Sequence, residues 1–415
     1  MKGKIFKKSL VITIILLLVV PSFVLISAGN SVNEIQDYSN DSFDKKIDLL
    51  MRIAHMPSFS VGIVKDDKLV WYKGYGFYDG EHLPNIDTSY EVASVTKTIT
   101  ATALMQLYDQ GKFDLDDDIN EYLPLKLRNP KYPDIPVTFR MLLAHQSSMA
   151  RGKSPGQFVK INSSDAVIPV ESWIVDELWP NGSENNPSIW NNYAPGKKFS
   201  YSNLGYGLIG YLVSIISNQS FHEYCMDHIF KPLNMGNTSF VLSDLNIENV
   251  AINYVWTRIS FPRLFSGQGN GNFVPVARNM GGRVNPAGSL RISCEDLSHF
   301  LIAHMNGGVY NGVRILNEST VKLMHEVQYP KNLPGILGAK YGLGWFVWER
   351  FGKETYSGHG GDGIACHANM KYNIHDKIGI IYFVNRAMAG SDITSFLVRM
   401  FVLEKVVFKK AEEFR

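Results

Sequence analysis

A serine and a lysine stand three residues apart, a spacing suited to nucleophilic catalysis. The stretch Ser94 to Lys97 (S-V-T-K) begins a predicted helix over Val95–Gln110. Residues three apart share one face of a helix, so the Lys97 amine can approach the Ser94 hydroxyl. The helix N-terminus adds free N–H groups and positive potential, and a buried lysine with a lowered pKa can accept the serine proton. An N-capping serine beside a solvated lysine is the structural alternative.

A tyrosine and an asparagine follow at Tyr201 to Asn203 (Y-S-N), just before a predicted helix at 204–217. A tyrosine can relay a proton when neighbouring cations lower its pKa. An asparagine can hold a substrate amide carbonyl and steady a lysine. A loop tyrosine beside a helix start is the structural alternative.

A third motif is the glycine-rich stretch Ser357 to Gly363 (S-G-H-G-G-D-G), which carries four glycines in six residues. Glycines let a backbone come close to another group. A strand edge of this kind can bind substrate main chain and lend an N–H to an oxyanion. A glycine-rich turn with a surface histidine is the structural alternative.

Taken in order, the three motifs resemble those of the penicillin-recognising serine hydrolases: class C β-lactamases, serine D-alanyl-D-alanine carboxypeptidases and related esterases. That superfamily has S-x-x-K at a helix start, Y-x-N in a helical domain, and K-T-G or H-x-G on a sheet strand. The resemblance runs along most of residues 45–405, through Phe59–Gly76, Glu91–Thr98, Met141–His145, Pro195–Asn203, Pro232–Phe240, Pro286–Leu290, Tyr341–Trp345 and Gly358–Gly361. It implies an α/β (α+β), β-lactamase-like fold: an antiparallel sheet flanked by helices, with an inserted, mainly helical domain.

The resemblance also implies roles for the first two motifs. Ser94 would be the acylated nucleophile. Lys97 and Tyr201 would share the general acid and base work, in an order that the sequence leaves open. Asn203 would bind substrate and contact Lys97.

The third motif would bind substrate through His359, Gly360 and Gly361, with His359 orienting Tyr201 or the substrate. The N–H groups of Ser94 and Asp362 would form the oxyanion hole. The motif departs from Lys-Thr-Gly, and a histidine is mostly neutral near pH 7 where a lysine is a fixed cation. Efficient β-lactam hydrolysis is therefore less expected than hydrolysis in general. A second departure replaces the usual His-Thr-Ser-Gly-Leu by H-Q-S-S-M at residues 145–149.

Apolar periodicity predicts the elements that hold these motifs. A helix at Phe43–Ala54 precedes a hairpin of Ser58–Val64 and Leu69–Tyr75. Near the C-terminus the pattern predicts three strands and a last helix, at Tyr341–Trp348, Gly363–Tyr372, Ile378–Phe383 and Ile393–Phe408. Strands at both ends predict one sheet built from both termini, within a hydrolase domain at 45–410. Its sheet part spans about 45–93 and 286–410, and its helical part about 94–285.

The N-terminus is typical of a targeting segment. Four lysines precede the apolar stretch Leu10–Ile26, and small residues follow at Ser27, Ala28 and Gly29. This pattern predicts a signal peptide over 1–28 with cleavage after Ala28, followed by a linker at 29–44. An uncleaved anchor, associating with a membrane through residues 9–28, is the alternative. The protein is thus expected to be secreted or extracytoplasmic.

Composition excludes several classes of protein. The 415 residues hold 41 basic and 39 acidic side chains, for a formal charge of +2. This balance argues against a disordered chain, a collagen and a polybasic nucleic-acid binder. The three cysteines, Cys225, Cys294 and Cys366, are expected to be reduced and packed as small apolar groups.

Two other hydrolase patterns are weak. The G-x-S-x-G match at Gly152–Gly156 lacks a preceding strand, and Pro155 has no N–H to offer an oxyanion. His299 and His304 are five residues apart and are expected on a helix face rather than on zinc. No metal or organic cofactor is implied.

The sequence therefore predicts an exported serine hydrolase that is acylated on Ser94 and cleaves an amide or ester in a small molecule or peptide. D-amino-acid peptides, cell-wall fragments, esters and β-lactams are the candidate substrates. A non-catalytic peptide or cell-wall binding protein on the same scaffold, or an acyltransferase using the same acyl-enzyme, remains the alternative. Oligomeric state is not predicted.

Overall fold

A computed structural model describes residues 42–151, 168–183, 186–256, 273–275, 284–328, 339–350, 354–386 and 393–415. The chain divides into two units, residues 1–45 and residues 46–415. Within the described ranges, none of the helices is both long and apolar enough to cross a membrane. The predicted signal peptide lies outside them.

A seven-stranded antiparallel sheet is built from both ends of the chain, in the order β2-β1-β13-β12-β11-β10-β9. The pairing of β1 with β13, with Ser60 opposite Phe383, joins the N-terminal strands to the C-terminal strands. The sheet strands are β1 (Ser58–Lys65), β2 (Lys68–Gly76), β9 (Lys340–Tyr341), β10 (Phe346–Arg350), β11 (Glu354–Asp362), β12 (His367–Asn373) and β13 (Ile378–Val384). The predicted hairpin and the assembly of one sheet from both termini are confirmed.

Short strands lie between the two halves of the sheet in sequence. Strand β3 (Tyr90–Glu91) pairs with β6 (Arg291–Ile292) just before the S-x-x-K motif. The two remaining pairs are β4 (Tyr254–Trp256) with β5 (Phe273–Pro275), and β7 (Val309–Tyr310) with β8 (Val313–Arg314).

Two strand predictions in the C-terminal third were wrong in their bounds. The segment Tyr341–Trp348 is broken because a turn, with Gly344 at φ +89°, joins β9 to β10. The strand expected at Gly363–Tyr372 begins at His367, because Gly363 N–H donates to Cys366 O (2.9 Å) in the turn after β11. Strand β11 carries the third motif, as the family resemblance implies, although its glycines and polar residues give no β periodicity.

The helices are α1 (Ser42–Ala54), α2 (Thr96–Asp109), α3 (Phe139–Leu143), α4 (Val170–Leu178), α5 (Asn203–Ser217), α6 (Phe221–Cys225), α7 (Cys294–Met305), α8 (Glu318–Met324), α9 (Ile393–Val398) and α10 (Glu404–Ala411). The last predicted helix is thus two helices, joined by a π-helical turn at Arg399–Leu403.

Helix α2 lies at the centre of the hydrophobic core and packs against α5. Twelve of its 14 residues are buried, including four threonines. Each threonine hydroxyl donates to a main-chain carbonyl, for example Thr98 to Val95 O (2.8 Å) and Thr100 to Pro286 O (2.6 Å). Because these polar groups are satisfied, the helix can be buried all round without a large energetic cost.

A chain of buried polar side chains links α2 to β11. Thr102 Oγ1 lies 3.0 Å from His304 Nε2, and His304 Nδ1 lies 3.2 Å from His325 Nε2. His325 Nδ1 in turn lies 2.5 Å from Ser357 Oγ. Burial lowers the pKa of both histidines, that of His325 to about 3. The chain is therefore built from neutral imidazoles.

The buried histidines predict that acid destabilises the fold. In the unfolded state a histidine has a pKa near 6.5, whereas burial holds the pKa of His304 and His325 below that in the folded state. The unfolded state then binds more protons below pH 6.5, so stability falls as the pH drops from about 6.5 toward 3. The loss should be roughly 1.5 kcal/mol for each such histidine between pH 6.5 and 5.

Urea unfolding at pH 7, 6 and 5 measures this loss. His325→Gln should make the free energy of unfolding less dependent on pH, whereas a change at the exposed His375, His375→Gln, should leave that dependence nearly unchanged. A free energy of unfolding that stays constant from pH 7 to pH 5 would contradict the prediction.

Candidate active site

Ser94 lies in a single turn of 3₁₀-helix, Ala93–Val95, between strand β3 and helix α2. A main-chain hydrogen bond anchors the residue before the turn, because Val92 N–H donates to Leu290 O (3.1 Å). Ala93 has φ +45°, a left-handed conformation that is unfavourable for alanine and is kept by the surrounding packing. Ala93 and Val95 are buried but Ser94 is partly exposed, so its hydroxyl can be reached from outside.

Lys97 is completely buried, and its Nζ lies 3.1 Å from Ser94 Oγ. The amine also donates to the carbonyl oxygen of Ala287 (2.6 Å). Burial, with repulsion from the guanidinium of Arg151, holds the pKa of Lys97 well below its usual range. A neutral amine in this position can accept the proton of Ser94 while it still donates to Ala287.

Tyr201 completes the cluster at Ser94. Its hydroxyl interacts with the Ser94 side chain, which acts to lower the pKa of the phenol, and Lys97 Nζ lies 5.0 Å from the centre of its ring. Burial raises the pKa of the phenol, although the Ser94 interaction and Arg151 act against the rise. Tyr201 is therefore a neutral phenol near pH 7, able to pass a proton but not poised as the first base.

His359 is buried within β11 rather than on a surface turn. Its Nδ1–H donates to Gly360 O (2.7 Å), and its Nε2 accepts from the hydroxyl of Tyr341 (3.1 Å). Burial, together with Lys97, lowers the pKa of His359 to about 3. The ring is thus neutral, and its centre lies 6.3 Å from that of Tyr201.

Strand β11 passes directly beside the Ser94 turn. A Cβ on Gly361 would lie 2.0 Å from Val92 O and 3.1 Å from Ser94 N, so this contact requires glycine. Strand β10 pairs with β11 only as far as Gly358. The main chain of β11 beyond Gly358, up to Asp362, is therefore the strand edge available to a substrate beside Ser94.

Asp362 ends β11 and is tied to two other elements. Its carboxylate accepts from His367 Nδ1 (2.9 Å) on β12 and from Arg399 on the π-helical turn. Burial raises the pKa of this carboxyl, but His367 and Arg399 outweigh that effect and the net shift is downward. These contacts fix the residue whose N–H is expected to complete the oxyanion hole.

Asn203 is the first residue of helix α5, which Ser202 caps by accepting from Gly205 N–H (3.0 Å). No hydrogen bond joins Asn203 Oδ1 to Lys97. The Asn203 Oδ1 is buried and has no hydrogen-bond partner among the described residues. Lys97 contacts Ala287 O instead, because helix α2 presents its amine to that carbonyl.

Three side chains near the cluster were not assigned by sequence reasoning. The guanidinium carbon of Arg151 lies 6.0 Å from the ring centre of Tyr201, and the ring centre of His145 lies 4.2 Å from it. The hydroxyl of Tyr341 donates to His359 Nε2. His145 and Tyr341 do fall within stretches that carry the family resemblance. Arg151 gave no signal, because its proximity to Tyr201 arises only in the fold.

The two alternative hydrolase patterns, a metal site and a G-x-S-x-G serine, can be compared with the structure where it describes their residues. Among the described residues, no group of three or more His, Cys, Asp or Glu side chains could hold a metal ion. His299 and His304 lie on helix α7, and His299 Nδ1 donates to Leu233 O (3.0 Å). The stretch Gly152–Gly156 lies outside the described residues. The three cysteines are buried and free.

The close approach of β11 to the Ser94 turn gives a paired prediction. Gly361→Ala should push the strand from the turn and slow fluorophosphonate labelling of Ser94 on the order of 100-fold, because small misplacements at a reacting centre are costly. Gly360→Ala is the matched control, since its Cβ would meet only Ala368 O at 3.9 Å. Unfolding midpoints check that both variants fold. Equal labelling of the two folded variants would contradict the prediction.

Comparison with known proteins identifies the family of the chain. The family profile described as Beta-lactamase matches residues 43–395. Protein flp of Staphylococcus aureus (strain N315) is 28% identical over 318 residues, covering 74% of this chain and 56% of that protein. The chain thus spans little more than half of that relative's length.

Two solved structures share the fold. The octameric penicillin-binding protein homologue from Pyrococcus abyssi superposes with a TM-score of 0.70 at 24% identity, covering 90% of this chain and 76% of that one. The D-amino acid amidase from Ochrobactrum anthropi SV3, solved with D-phenylalanine, gives 0.65 at 21% identity, covering 90% and 99%. Since the family profile covers most of the sequence, including all three motifs, the chain belongs to the beta-lactamase family.

Proposed function

We propose that this protein is an exported serine hydrolase that forms an acyl-enzyme on Ser94 and hydrolyses an amide or ester. The observation that carries the proposal is the position of a buried amine, Lys97, 3.1 Å from the hydroxyl oxygen of a partly exposed serine. Export rests on the basic and apolar segment of residues 1–28. Family membership supports the reaction type, whereas the substrate is inferred from the site.

The acylation step uses Lys97 as the first base. Ser94 Oγ forms a bond to the substrate carbonyl carbon while its proton passes to the neutral Lys97 Nζ. The bond from that carbon to the leaving nitrogen or oxygen then breaks. The leaving atom takes a proton from Tyr201, which is reprotonated from Lys97. The N–H groups of Ser94 and Asp362 stabilise the oxyanion formed in between.

Deacylation reverses these roles with water as the acceptor. Water adds to the acyl carbon as its proton passes to the same base. The bond from Ser94 Oγ to that carbon breaks, Ser94 recovers its proton, and the carboxylic acid leaves. No metal or organic cofactor takes part in either step.

The site favours an open-chain amide over a β-lactam as substrate. The buried Asn203 Oδ1 lacks a partner among the described residues and is suited to accept an N–H from the substrate. His359 is neutral, so the third motif offers no fixed cation to a β-lactam carboxylate. A D-amino-acid peptide or amide, or a related cell-wall fragment, fits these features. The D-amino acid amidase that shares the fold is consistent with this class.

Chemical labelling tests the nucleophile. A fluorophosphonate and a fluorescent penicillin should each modify Ser94, as located by peptide mass spectrometry, and Ser94→Ala should abolish labelling by both. Ser89→Ala is the control, because Ser89 Oγ only donates to Asn237 O (2.8 Å). Labelling of another serine, or failure of both probes on folded protein, would refute the assignment, as would ester turnover that survives Ser94→Ala.

The charge of Arg151 gives a prediction about pH. Activity needs a neutral Lys97, and Arg151 lowers the pKa of that amine. Arg151→Gln removes the repulsion, so the pKa of Lys97 rises and the acid limb of the rate profile moves to higher pH. Arg151→Lys keeps the charge and should keep the profile. The pH dependence of fluorophosphonate labelling measures both, and a Gln variant with the wild-type profile would contradict the prediction.

A further inference from the structure

His145 holds the main chain on both sides of Tyr201. Its carbonyl oxygen accepts from Ser200 N–H (2.7 Å), and its ring Nδ1 accepts from Ser202 N–H (3.1 Å). One residue thus binds the N–H groups of Ser200 and Ser202, the residues before and after the tyrosine. Because both contacts are to backbone N–H groups, they set the direction in which the Tyr201 side chain leaves the chain.

The imidazole ring also packs against the phenol itself. Its centre lies 4.2 Å from that of Tyr201, 4.8 Å from that of Tyr341 and 4.9 Å from that of Tyr206. Tyr341 in turn donates to His359, and Tyr206 donates to Leu143 O (2.9 Å). The Tyr201 ring therefore rests on a layer of side chains that are themselves anchored.

The properties of His145 suit this task. It is 1% exposed and has φ +56°, a conformation in which histidine is found more often than most residues. Burial, together with Lys97 and His359, keeps its pKa well below the usual range, so the ring is neutral and Nδ1 is free to accept. Its titratable neighbours are thus Lys97, His359 and the tyrosines of the ring layer, with no carboxylate among the described contacts of the ring.

We propose that His145 is a positioning residue for Tyr201. It accepts hydrogen bonds from the N–H groups of Ser200 and Ser202 and so keeps the phenol hydroxyl directed at Ser94. The role rests on the proposed function, since it matters only if Tyr201 passes a proton at Ser94. His145 has no contact with Ser94 and acts through the tyrosine.

A matched pair of variants tests the role. In His145→Asn the side-chain oxygen can stand where Nδ1 stands, and asparagine tolerates positive φ. In His145→Gln the amide lies one carbon further out, so the acceptor for Ser202 N–H is lost while polarity is kept. With a p-nitrophenyl ester, the Asn variant should retain kcat within about threefold, whereas the Gln variant should lose on the order of 30-fold in kcat with KM within about twofold.

A double variant separates positioning from a general structural role. If His145 acts only through Tyr201, adding His145→Gln to Tyr201→Phe should slow fluorophosphonate labelling no further than Tyr201→Phe alone. Unfolding midpoints of all variants are measured alongside. If the Gln variant fails to fold, the Asn variant decides: near wild-type kcat supports the role, and a folded Asn variant slowed tenfold or more overturns it.

The outcomes distinguish this role from the reaction on which it rests. Wild-type protein that a fluorophosphonate does not label on Ser94 overturns the proposed function itself. Wild-type labelling together with a folded, fully active His145→Gln variant overturns only the role of His145. Additive losses in the Tyr201→Phe background also overturn it.

Discussion

The burial of one amine governs the architecture of the site. No described carboxylate pairs with Lys97, whose Nζ contacts a serine oxygen and a main-chain carbonyl. Removing an ammonium from water without an opposite charge is costly, so the environment favours the neutral base. Helix α2 can sustain this burial because its four buried threonine hydroxyls donate to main-chain carbonyls. The same burial that stabilises the core thus creates the reactive group.

The sheet contributes to the site through the close approach of β11 to the Ser94 turn rather than through a charged side chain. Strand β11 contacts the Ser94 turn through Gly361, and Asp362 at its end is tied to β12 and to the C-terminal helices. Strand β11 lies between β10 and β12, and β12 pairs with β13, which joins the C-terminal strands to the N-terminal hairpin through β1. The alignment of serine and strand is therefore a property of the whole sheet.

The charges around the serine differ from those expected for a lysine-bearing third motif. His359 is neutral and engaged with Tyr341, whereas a cation lies on the other side of the cluster, at Arg151. A cation there favours the neutral form of Lys97 and acts against the rise in the pKa of Tyr201. The cation of this site thus lies on the segment that follows α3 rather than on the strand.

The sequence by itself determined the family fold, the hairpin, the sheet drawn from both termini and the motif residues, because periodicity and ordered motifs are local signals. Ser94, Lys97 and Tyr201 are brought together as expected. Only the tertiary structure decided the bounds of β11, the lack of a hydrogen bond between Asn203 Oδ1 and Lys97, and the positions of Arg151 and His145 at Tyr201. These facts depend on contacts between residues far apart in the chain and on burial, which sets the protonation of Lys97 and His359 and has no counterpart in a linear pattern.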